Sequence, residues 1–227
     1  MKIIDLTTAL FVGMPITPAS GHPREFLMER TATFEEDGKV VSKLTVGTHT
    51  GTHTDSPTHF IPNAKTIDQV PLDCLVGEAV LLDATHVGSG GAVTVADLEY
   101  ANVDIREGDI LIIRTDWSKH WCKDDYFKGR PCLTEEAAQW IVDHKIKAIG
   151  VDMSGVDPTS QYGVSPKLGG SPVHKILLGN DVYITEYLCN LDQIKEERFF
   201  IAILPMKVIN AEAAPARVIA IEGLLNK

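Results

Sequence analysis

The chain lacks a cationic field. Its 21 Lys and Arg are outnumbered by 31 Asp and Glu, leaving a formal net charge of −10, so nothing in it would hold a phosphate backbone and nucleic acid is excluded as a partner. It also lacks long apolar runs. Asp5 interrupts the run Met1 to Ile4 before a signal-peptide core can form, and no stretch approaches the roughly 20 residues of a membrane span, which predicts a cytoplasmic protein with no membrane partner. Cysteine is scarce: Cys74, Cys122, Cys132 and Cys189 show no C-x-x-C spacing and are too few for a disulfide scaffold, so reduced, mostly buried thiols are expected. Two catalytic motifs are absent as well. The Gly88 to Gly91 turn has no following Lys-Ser/Thr and is a plain loop, not a phosphate cradle. The Ser154 segment has Asp152 where a serine-hydrolase elbow needs glycine.

At 227 residues, 44% hydrophobic and 23% charged, the chain is long enough for one large core, and residues 1–227 read as a single domain. Lys2 to Thr7 reads as a strand, followed by an irregular loop carrying Gly13, Pro15, Pro18, Gly21 and Pro23, a candidate wall of an active site. Phe26 to Phe34 and Val40 to Val46 flank Asp37-Gly38 and predict a hairpin. Further on come strands at Glu78 to Asp83, Ile110 to Ile113 and Ile146 to Val151, a helix capped by Thr94, and a helix from Glu135 to His144 capped by Thr134. Ser171 and Pro172 begin a helix of one to two turns that Gly179 ends. Val182 to Thr185, Arg198 to Leu204 and Ala216 to Glu222 complete the strands. The fold class is mixed α/β.

The densest chemistry lies at His49, Thr50, Gly51, Thr52, His53, Thr54, Asp55, Ser56, Pro57, Thr58 and His59. Three imidazoles and a carboxylate in eleven residues form a metal-ligand set. Thr, Gly and Pro disfavour a helix here, and in an extended chain the odd-numbered residues, all the ligand types among them, share one face. A straight strand would hold His49 and His53 about 13 Å apart, too far for one ion, so the chain must bend, and Gly51 is the natural place. Two later polar residues stand at element ends. His174 sits in the first turn of its helix, and Glu186 ends a strand whose alternate residues Ile184 and Val182 are apolar. A carboxylate on that face is costly unless a salt bridge, solvent or a metal satisfies it. Asp152 and Asp157 read as groups that orient loops or ligands. His22, His86, His120 and His144 read as surface or hydrogen-bonded residues outside the site.

These residues resemble the cyclase family of metal-dependent hydrolases, which includes bacterial kynurenine formamidase and isatin hydrolase. The family pattern His-x-Gly-Thr-His-x-Asp-x-Pro-x-His fits His49 to His59 at every specified position and extends to Phe60. Further likenesses are Arg114 to Ser118, with Asp116 where the family often has Gly, then Gly150 to Asp152, and a later His with a Glu twelve positions on, here His174 and Glu186. The resemblance implies a swivelling β/β/α domain, usually a homodimer or homotetramer. It implies one or two divalent ions per chain, with His49, His53 and Asp55 on one, His174 on the other, and Asp55 and Glu186 bridging. His59 would transfer protons. The ligand types do not choose among zinc, manganese and iron, and zinc and manganese lead.

The implied activity is hydrolysis of a small-molecule amide, a formamide or a cyclic amide, by metal-activated water. Alternatives are kynurenine formamidase proper, a lyase or cyclase that adds no water, and a non-catalytic metal-binding protein. Kynurenine formamidases of the family carry a Trp in the Pro-rich loop, where it can stack on the substrate ring, and the position falls on Thr17 here. N-formylkynurenine is therefore expected not to be the preferred substrate.

Overall fold

A strand that is apolar at every position must be covered on both faces, and this requirement organises the molecule. A computed structural model of the chain describes residues 1–18, 21–22, 25–101, 103–161 and 170–225; Pro23 of the predicted loop lies outside them. Its strands and helices run, in chain order, β1 (Lys2–Asp5), β2 (Leu27–Ala32), α1 (Phe34–Asp37), β3 (Val41–Thr45), β4 (His53–Asp55), β5 (Val76–Asp83), β6 (Ala92–Val93), α2 (Val95–Glu99), β7 (Ile110–Arg114) and β8 (Cys132–Leu133). Then follow α3 (Glu135–Asp143), β9 (Ala148–Val151), α4 (Pro172–Gly179), β10 (Tyr183–Glu186), β11 (Arg198–Pro205) and β12 (Ala213–Glu222). The predicted mixed α/β class is the one the chain adopts.

Eight strands form one sheet in the order β1-β12-β11-β5-β7-β9-β10-β4, and a further pairing of β12 with β4 closes it into a ring. The segment β5, β7, β9, β10 is parallel, and β4, β11, β12 and β1 join it antiparallel. Alternation sorts the side chains. Ile110 and Ile112 point into a core shared with Phe199, Ile201 and Val218, while Leu111 and Ile113 point to the other face, under Ala137, Ala138 and Ile141 of α3 and Leu177 of α4. Thr134 accepts the Ala137 N–H at the start of α3, with Glu135 and Glu136 in its first turn, as its sequence predicts.

The β2–β3 hairpin stands apart as its own two-stranded sheet. Its connection is a single helical turn: Thr33 accepts the Glu36 N–H, and Gly38, at φ +66°, ends it. Asp37-Gly38 therefore terminates a helix and does not form a two-residue hairpin turn. The four cysteines are free, but Cys132 alone is buried and Cys122 is exposed, which corrects the expectation of mostly buried thiols. Among the described residues no helix is long and apolar enough to cross a membrane.

Candidate metal centre

The predicted bend is present. Gly51 has φ +62°, so glycine meets a conformational demand there. After it, β4 runs between two strands from the far end of the chain: His53 lies opposite Glu186 and Pro215, and Asp55 opposite Ile184 and Ala213. The even-numbered residues stitch this strand in place. Thr52 donates to the Tyr187 carbonyl at 2.7 Å, Thr54 pairs with Thr185 at 2.9 Å, and Ser56 donates to the Glu212 carbonyl at 2.8 Å. That leaves His53 and Asp55 facing the centre. A 3₁₀ turn, Pro57–His59, then lifts His59 to within 4.2 Å of the His49 ring, measured between centroids.

His174 enters from α4 and Glu186 from the end of β10, so the structure brings together all six residues predicted from sequence. Ligand atoms of Asp55, His174 and Glu186 lie within 4.8 Å of one another, as do those of His49, Asp55 and His59. Asp55 belongs to both groups. The separations are tight: His49 Nδ1 to Asp55 Oδ1 3.0 Å, His53 Nε2 to Asp55 Oδ1 3.4 Å and to Glu186 Oε2 3.7 Å, His174 Nε2 to Glu186 Oε1 3.2 Å and to Asp55 Oδ2 3.6 Å. Two donors bound to one ion at about 2.0–2.2 Å stand about 2.8–3.6 Å apart in tetrahedral or octahedral geometry, so these spacings suit shared ions. A second observation agrees. Asp55 Oδ1 and Glu186 Oε1 are fully buried and have no hydrogen-bond partner, although an imidazole nitrogen stands close to each. The atoms converge on common points and are not aimed at one another. Such orphaned carboxylate oxygens are costly without a cation, and the residues present fit a divalent metal.

Electrostatics shows the same pressure. Burial pulls the His49 imidazole down, but the Asp55 carboxylate outweighs it and carries the group up to about 10. Burial likewise opposes, and Asp157 with the ligand carboxylates overcomes, so that His174 is held well above the usual histidine range. Asp55 resists burial through His49 and His53 and stays well below the ordinary carboxylate range. The buried anions thus gather protons where ions would sit, and metal uptake must release them. His59 differs: burial, reinforced by His49, His174 and His53 against Asp55, pushes it down to about 3. It is an uncharged base at neutral pH.

Each ligand imidazole has a partner behind it. His53 Nδ1 meets the Gly51 carbonyl at 2.8 Å, and His174 Nδ1 bonds Asp157, which also accepts the Val173 N–H. Asp157 therefore fixes the orientation of the His174 ring. Asp152 accepts the Thr115 N–H and hydroxyl at 3.0 and 2.6 Å, and burial raises it to about 6. His86, His120 and His144 are hydrogen-bonded away from the centre, to Asp97, Asp125 and the Trp140 carbonyl. His22 is a correction: the Pro-rich loop carries its ring to 5.2 Å from His49, and its buried Nδ1 has no partner among the described residues. The sequence gives no spacing signal for it, because contact is made by an irregular loop. Thr17, in the same loop, shares a short hydrogen bond with the Tyr187 hydroxyl, whose ring lies 5.8 Å from His53. Tyr187 follows Glu186 with φ +58°, a left-handed backbone that re-aims the chain as it leaves the site.

Comparison with known proteins agrees with this geometry. The kynurenine formamidase of Erythrobacter litoralis is 31% identical over 219 residues, covering 96% of this chain and 93% of that protein. The solved isatin hydrolase A of Labrenzia aggregata superposes with a TM-score of 0.81 at 28% identity, over 96% of this chain and 93% of that one. A solved protein described as a potential metal-dependent hydrolase with cyclase activity superposes at 0.77 with 31% identity, over 96% of each chain. A family model described as "Putative cyclase" matches residues 4–158, which include the whole His49 to His59 segment, and the chain belongs to that cyclase family.

Proposed function

We propose that this protein hydrolyses the carbon–nitrogen bond of a small-molecule amide, a formamide or a cyclic amide. One observation carries the reading: Asp55 and Glu186 hold buried, partnerless carboxylate oxygens at the meeting point of His49, His53 and His174. Those five residues would hold the divalent metal, with zinc or manganese at one or two positions. Bound there, such an ion would lower the pKa of water and polarise a carbonyl. His59, uncharged and beside the ligand set, takes a proton from the attacking water as its oxygen bonds the carbonyl carbon and gives that proton to the nitrogen as the C–N bond breaks. Asp157 and the Gly51 carbonyl hold His174 and His53 in one tautomer. Similarity to proteins named kynurenine formamidase and isatin hydrolase supports the substrate class.

The Pro-rich loop argues against N-formylkynurenine as the preferred substrate. Thr17 faces the site through its bond to Tyr187 and offers no ring to stack on an aniline. The test is a panel of formamides, cyclic imides, isatins and lactones assayed with zinc and manganese, with products weighed for the gain of one water. Cyclic amides should lead; a kcat/KM for N-formylkynurenine above about 10⁵ M⁻¹s⁻¹ and highest in the panel overturns the preference. Products isomeric with substrate overturn hydrolysis and favour a lyase or cyclase. We place the protein in the cytoplasm, in keeping with four unpaired thiols, and as a homodimer or homotetramer, in keeping with its exposed apolar hairpin.

A further inference from the structure

His49 differs from the other two ligand imidazoles in which nitrogen faces the centre. His53 and His174 present Nε2 to Asp55 and Glu186 and anchor Nδ1 behind. His49 presents Nδ1, 3.0 Å from Asp55 Oδ1, and its Nε2 stands 3.3 Å from Glu212 Oε1. The geometry points to Glu212 as a positioning residue for the ion position at His49: its carboxylate fixes the proton on Nε2 and leaves the Nδ1 lone pair for the metal. A carboxylate only accepts hydrogen bonds, so with a metal taking the Nδ1 side that faces Asp55, the one proton of a neutral His49 ring is left on Nε2, where Glu212 can accept it. Carboxylate, histidine and metal in line is a recurrent way to orient a ligand and raise its basicity.

Glu212 is itself held from two sides. The Thr48 hydroxyl donates to Oε1 at 2.5 Å, and its backbone carbonyl receives both the Ser56 N–H at 2.9 Å and the Ser56 hydroxyl at 2.8 Å. The next residue, Ala213, opens β12 opposite Asp55. Strand pairing thus fixes Glu212 and Asp55 in one register, on opposite sides of the His49 ring. The competing account is an ordinary surface ion pair, since the Glu212 side chain is 40% exposed, and such pairs contribute little to stability. The two accounts separate because His174 has its own carboxylate in Asp157. A role in positioning His49 acts on one ion position and spares the other.

The inference rests on the reading that the centre holds divalent ions, and the test distinguishes the two. Metal-free full-length protein is titrated with Co(II), followed by its visible absorption and by competition with a chelator, alongside thermal melting. Glu212→Ala should weaken one binding step about 10- to 100-fold and leave the other unchanged, with its melting temperature close to wild type. Glu212→Gln, which keeps an acceptor oxygen, should recover part of the loss, and Thr48→Val should weaken the same step less. Glu212→Ala with every step at wild-type affinity, or with all steps weakened alike, overturns the assignment. Wild-type protein that takes up no Co(II), zinc or manganese instead overturns the metal reading beneath it.

Discussion

The segment from His49 to His59 and the hairpin of β2 and β3 invert the usual distribution of side chains, in opposite directions. In the first, His53, Thr54, Asp55 and Ser56 are buried within a closed sheet. In the second, Leu27, Met28, Val41 and Leu44 are exposed on strands that touch no core. A buried polar cluster with unpaired oxygens stands there against stability, so its reason is chemical. An exposed apolar arm costs solubility, so its reason is a surface to cover. The first region fits an ion; the second is the surface we propose a second copy of the chain covers.

The largest effect that would sharpen this contrast comes from the ligands. His53→Ala or Glu186→Ala should lose bound metal on elemental analysis and lower turnover by at least about 10³-fold, about 4 kcal/mol of barrier; either variant with full metal and full rate breaks the reading of the buried cluster. Next is His59→Asn, which should keep its metal while kcat falls about 10²- to 10⁴-fold. Unchanged turnover there removes its proton-transfer role. The smallest effect on the enzyme itself belongs to the hairpin. Met28→Lys with Leu44→Lys should convert the oligomer to monomer by light scattering, with a core stability shift within about 0.5 kcal/mol. A wild-type chain that is already monomeric at micromolar concentration takes away the proposed partner surface.

Much of the centre was legible because its ligands follow local rules. The bend at Gly51, the alternation that puts His53 and Asp55 on one side, and the placing of His174 in a helix and Glu186 at a strand end follow from spacing and backbone chemistry. Strand positions were legible for a related reason, since Ile110 to Ile113 has no polar face to offer solvent. Illegible were the residues whose contacts depend on which strands become neighbours. Glu212 reaches His49 only through the pairing of β12 with β4, and His22 arrives by a loop with no periodicity. His59 stands out in the motif, but its low proton affinity does not, because burial is a property of the assembled site. The Asp37-Gly38 signal located the hairpin correctly and misassigned its turn, since glycine with φ > 0 serves a helix end as well as a hairpin.

The ring of strands also sets an order of events. β4 is synthesised early, yet both of its edges are filled by late arrivals, β10 on one side and β12 on the other, with Ser56 and Glu212 joined across 156 residues of chain. Closing so long a loop is slow, and until it closes the motif strand has no register. On a ribosome the residues made first must therefore wait for nearly the whole chain to emerge, with three histidines and an aspartate held in a nascent segment that has not yet been brought to Glu186 and His174. The cluster is complete only when the last strand docks.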